Sequence, residues 1–69
     1  MGNTTWTRRR HLKRKLTFAR NHLDQAGALV WAAAAEYRAA ERGPYEELET
    51  IAHAIAQTLE ALETVVESI

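Results

Sequence analysis

Six cations crowd into eight consecutive residues, Arg8-Arg9-Arg10-His11-Leu12-Lys13-Arg14-Lys15. Clustered guanidinium and ammonium groups suit one chemistry above others: they neutralise a phosphate backbone and release its condensed counterions. Trp6 and Phe18 flank the cluster, and aromatic rings stack on exposed bases. Three arginines near a helix N-terminus also oppose the positive end of the helix dipole. A local conflict of this kind points to an anion supplied from outside. The sequence therefore nominates Arg8, Arg9, Arg10, Lys13, Arg14 and Lys15 as a nucleic-acid-binding segment, for DNA or RNA. A competing expectation is charge pairing with Glu60, Glu63 and Glu67, which in an antiparallel hairpin approach Arg20 and, with some slippage or a second subunit, Lys15 and Arg14. Exposed pairs of that kind contribute roughly 0–1 kcal/mol each.

Other chemistry finds little support. There is no cysteine nucleophile and the one serine is Ser68. No glycine-rich phosphate loop occurs, and the carboxylates of the second half fall on a solvent face. A non-enzymatic protein is expected. His11, His22 and His53 form no metal-ligand spacing. Glu49 and His53 are one turn apart, but ferritin-like centres need Glu-x-x-His repeated on separate helices. No metal and no cofactor is expected.

The net charge is zero, yet it is unevenly placed. Residues 1–23 carry Arg8, Arg9, Arg10, Lys13, Arg14, Lys15 and Arg20 with no acid, +7 in all. Residues 24–69 carry nine acids against Arg38 and Arg42, −7 in all. Targeting patterns fail on their flanks: Arg14, Lys15 and Arg20 interrupt the apolar stretch an export signal needs. Met1-Gly2 lacks the Ser/Thr at position 6 that myristoylation expects. The apolar run 26–35 is too short to span a bilayer. The apolar content between Trp6 and Phe18 is thin for a membrane-surface helix. A cytoplasmic protein without a membrane partner is expected.

The elements that position the basic segment are read from periodicity. Gly43-Pro44 combines a helix stop with a residue tolerated in a first turn. Arg38 and Arg42 precede it and Glu46, Glu47 and Glu49 follow, both in the sense the helix dipoles favour. The spacing predicts helix 1 over about 5–42 and helix 2 over about 44–69, with Thr4, Thr5 or Thr7 as a cap. Leu12, Leu16, Ala19, Leu23, Ala26, Val30, Ala33, Tyr37 and Ala40 step by four and three, as do Tyr45, Leu48, Ala52, Ile55, Leu59, Leu62, Val66 and Ile69. Two such stripes joined by a tight turn describe an all-α antiparallel hairpin. Asn21 and Asp24 have the spacing of a capping box, which would break helix 1, but the heptad runs on through them.

Folded at Gly43, residues 44–69 match residues 17–42. Residues 1–16 are left as a basic N-terminal arm, a helical extension of the hairpin 17–69. Ala19, Ala26, Ala33 and Ala40, one heptad apart, and Gly27 beside them would let helix axes approach closely. Between residues 26 and 35 the helix is apolar on every side, which calls for cover on every side. A 69-residue chain without disulfide or metal also calls for a second subunit. Leu29, Val30, Trp31, Ala34, Ile51 and Val65 are the expected dimer or partner interface, in a homodimer forming a four-helix bundle. In plan, though in no residue signature, the layout resembles Rop-type dimers, whose two helical hairpins form an RNA-binding four-helix bundle. The alternative is a protein-interaction module, an adaptor, inhibitor or regulator of a larger protein, using its apolar helix surface.

Overall fold

Alanine, leucine and glutamate dominate the two periodic segments, and all three favour helix. In the computed structural model they form α1 (Gly2–Ala39) and α2 (Tyr45–Ser68), packed against each other as an antiparallel hairpin. The structure describes the backbone of residues 2–69 and the side chains of residues 8–69. The expected cap at Thr4, Thr5 or Thr7 and the expected role of Trp6 lie outside the described side chains. α1 is continuous through Asn21.

α1 stops three residues before the expected boundary at 42. The amide of Arg42 bonds the carbonyl of Tyr37 at 3.1 Å, and that of Glu41 bonds the carbonyl of Arg38 at 3.0 Å. These two bonds define a Schellman motif, whose left-handed residue is usually glycine. Here it is Glu41, at φ 55°. Gly43, the glycine expected to end the helix, takes φ 87° further on. A Cβ at Gly43 would collide with Cδ1 of Tyr37, so the ring occupies the space a side chain would need. Two left-handed residues thus spread the reversal over five positions, 40–44. Pro44 caps α2 with its carbonyl, which accepts from the Leu48 amide at 3.0 Å.

The longer turn changes the register. An added Cβ on Gly27 would sit 3.2 Å from Cγ2 of Ile55, and the Trp31 and His53 rings meet edge to face at 5.2 Å. Arg38 forms an ion pair with Glu49 and lies over the Tyr45 ring at 4.9 Å. Carried to its end, this register sets Ile69 in one recess with Arg8, Arg9 and Leu12. In this register α2 reaches back to about Leu12. The turn takes up residues 40–42, and every later residue pairs further back.

The core is thin. Among the described residues only Ala34 (1 % exposed), Ala52 (1 %) and Val66 (7 %) are buried. Gly27, Ala34 and Ala52 sit at the contact between the helices, whereas of the heptad alanines Ala19 and Ala40 are exposed and Ala26 and Ala33 are half-buried. The chain has a radius of gyration of 16.8 Å, against roughly 11 Å for a globular chain of this length. It exposes 5665 Å², against roughly 4,400 Å² for a folded monomer of its mass.

Candidate nucleic-acid interface

The N-terminal third of α1 presents the basic residues. Arg8, Arg9, Arg10, Lys13, Arg14 and Lys15 are all exposed. At 100° per residue they surround the helix axis. Arg10 and Arg14 stand on the side away from α2. Lys13 and Lys15 flank the helix, and Arg8 and Arg9 turn toward the end of α2. No acid occurs in the first turn of α1, so the positive end of its dipole adds to the side-chain charge. The negative end of the α2 dipole lies at the level of Leu12 and offsets part of it at Arg8 and Arg9.

Among the described residues, Arg8, Arg9, Lys13, Arg14, Lys15 and Arg20 form no ion pair; the hairpin's own acids do not reach them. The Arg14 guanidinium lies 5.9 Å from the centre of the exposed Phe18 ring, a cation–π contact of about 0.5–1 kcal/mol at an exposed site. Arg20 donates to Oδ1 of Asn21 at 3.3 Å. The expected pairing of Arg14, Lys15 and Arg20 with Glu60, Glu63 and Glu67 is absent from the single chain. A fixed array of cations with one aromatic ring beside it can hold phosphate oxygens and stack one base. It offers little means of reading a sequence.

The six expected interface residues do not share a surface. Ala34 is sealed within the hairpin, and half-buried Val30 faces α2. The inward ridge of α1 runs through Leu16, Leu23, Gly27, Val30 and Ala34, which places both residues at the helix contact. Trp31 (42 % exposed) lies on one broad face with His53, Glu49 and Arg38. There it lines a shallow groove with Leu23, Gly27, Ile55 and Leu59. Leu29 (71 % exposed), Ile51 and Val65 lie on the opposite broad face, together with Phe18. Their helical phases fall on the other side of the α1–α2 contact.

Sequence reasoning missed the clamp at the turn. Arg38 and Glu49 are equidistant from the Gly43-Pro44 boundary, and that mirror relation was the available signal. Hydrogen bonding to Glu49, and then its charge, raises the Arg38 guanidinium above its ordinary value. The Trp31–His53 contact had no such signal: the two residues are equidistant from Arg42, the middle of the turn 40–44, and not from the Gly43-Pro44 boundary.

Among the described residues no group of three His, Asp or Glu side chains is placed to hold a metal ion. No described helix is long and apolar enough to cross a membrane. Compared with family models, curated proteins and solved structures, the chain matches none of them.

Proposed function

We propose that this chain is a small non-enzymatic nucleic-acid-binding protein, a homodimer of hairpins forming a four-helix bundle that presents basic N-terminal segments to phosphates. One observation carries the reading: among the described residues, Arg8, Arg9, Lys13, Arg14 and Lys15 are exposed and meet no acid of their own chain. Five cations held together on a rigid helix repel one another, and a polyanion relieves that repulsion. The surface in excess of a globular monomer, roughly 1,300 Å², supports the dimer. A standard interface removes about 800 Å² from each partner.

Binding of this kind depends on salt more than on sequence. The test is a fluorescence-anisotropy titration of unrelated DNA and RNA oligonucleotides from 50 to 200 mM salt. The expected result is similar affinity across sequences and a log–log slope of about −0.9 per phosphate neutralised on duplex DNA. Absence of binding at the lowest salt refutes the reading. A second reading, docking on a different protein as an adaptor, inhibitor or regulator, is favoured by the Trp31 groove, which the hairpin leaves open. Capture of a partner that Trp31→Glu abolishes, with the folded mass unchanged, would support it.

A further inference from the structure

Between its two ends the Leu29 face carries one titratable side chain, His22, and no Lys, Arg, Asp or Glu. On α1 it runs from Phe18 through Ala26 and Leu29 to Ala33, and on α2 from Ile51 through Thr58 to Val65. Lys15 closes the strip at the arm end. Glu36 and Glu47 close it at the turn end. The strip is thus a ladder with a cation at one end and anions at the other, which is the pattern of a self-complementary surface.

We infer that the occupant of this face is a second copy of the chain running in the opposite direction, so that Lys15 of each copy meets Glu36 of the other. The inference rests on the dimer reading above and adds its face, direction and register. Three observations favour it. A two-fold axis perpendicular to the helices pairs residue i with j and j with i, and it brings the positive end of each strip onto the negative end of the other. The same axis keeps the two basic segments apart, whereas a dimer with both turns at one end would place ten or more exposed cations together. The apolar middle, centred between Gln25 and Ala26, is then covered along its whole length, Phe18 and Leu29 included.

The function changes with this geometry. At 1.5 Å per residue, Arg8 of one copy lies about 50 Å from Arg8 of the other along the bundle. One dimer then holds two separate stretches of nucleic acid, one at each end, and does not grip a single site with both segments.

The chain has no cysteine, so thiol cross-linking can be directed. Lys15→Cys and Glu36→Cys chains are prepared separately, mixed, and treated with a short bismaleimide. Their mass in solution is measured by light scattering. The expected product is a mixed dimer joining position 15 to position 36, with little 15-to-15 product. In a same-end dimer those two positions lie about 30 Å apart along the axis, beyond the reagent. Cross-links from 15 to 15 in a chain of dimer mass would overturn the direction and leave the dimer standing. A monomer mass would overturn the dimer itself. As a second readout, Lys15→Glu and Glu36→Lys, both at exposed positions, are each expected to raise the dimer dissociation constant about tenfold over the two symmetric contacts. The double reversal is expected to restore it. Unchanged dissociation constants in both single variants would overturn the Lys15–Glu36 register.

Discussion

Replacing Glu41 with glycine tests the turn, because the sequence alone and the structure give opposite signs. Read as part of a helix ending at residue 42, position 41 would lose about 1 kcal/mol on becoming glycine. In the structure Glu41 is the left-handed residue of a Schellman motif, at φ 55°. A non-glycine residue pays about 1–2 kcal/mol for that conformation. Removing a carboxylate from a helix C-terminus adds about 0.3 kcal/mol, since the dipole there is negative. Against these stands the greater entropy of glycine in the unfolded chain, about 0.5–1 kcal/mol. The expected net is stabilisation of about 0.5–1 kcal/mol. For a chain of this size that raises Tm by about 3–6 °C. Thermal unfolding followed by circular dichroism at 222 nm reads it, at one fixed protein concentration because association shifts Tm. Gly43→Ala is the matched control. It must hold φ 87° and set a Cβ against the Tyr37 ring, so it is expected to destabilise by more than about 1 kcal/mol. A lowered Tm for Glu41→Gly would refute the assignment of the left-handed cap to residue 41.

Ala34→Leu is expected to destabilise by about 1–3 kcal/mol through overpacking at a buried position of the helix contact, measured by chemical denaturation. Leu29→Ala, by contrast, should barely change the stability of a diluted single chain, since Leu29 is 71 % exposed. It should weaken self-association in sedimentation equilibrium. Arg38→Ala removes an exposed ion pair and a cation–π contact at the turn, and a loss of about 1 kcal/mol or less is expected in the same denaturation assay. Alanine at Arg8, Arg9 and Lys13 together should make the salt slope of nucleic-acid binding shallower by about 2.7 for B-DNA if each holds one phosphate. An unchanged slope would show that these side chains do not touch the backbone.

Much of this architecture was legible in the residues. Two heptad stripes and the Gly43-Pro44 boundary specify two helices and their antiparallel pairing, because side chains three and four apart must share a face. The basic segment was also legible, since its charge depends on composition and local order alone. Exposure of Leu29 followed from its position off the stripe. Less visible was which neighbouring helix face each apolar residue would meet. Leu29, Trp31 and Ala34 are close in sequence, but 100° per residue sends them to one face, the opposite face and the contact between helices.

Tertiary structure alone decided the register. The left-handed backbone at Glu41 and Gly43 is settled jointly by the Tyr37 ring, the Arg38–Glu49 pair and the packing of Gly27 on Ile55. No local pattern encodes that agreement. A shift of a few residues at the turn then moved the end of α2 beside Leu12, and among the described residues Glu60, Glu63 and Glu67 form no ion pair with the cations they were expected to neutralise. Charge content is a property of the chain, whereas which charges meet depends on the length of the turn between the helices.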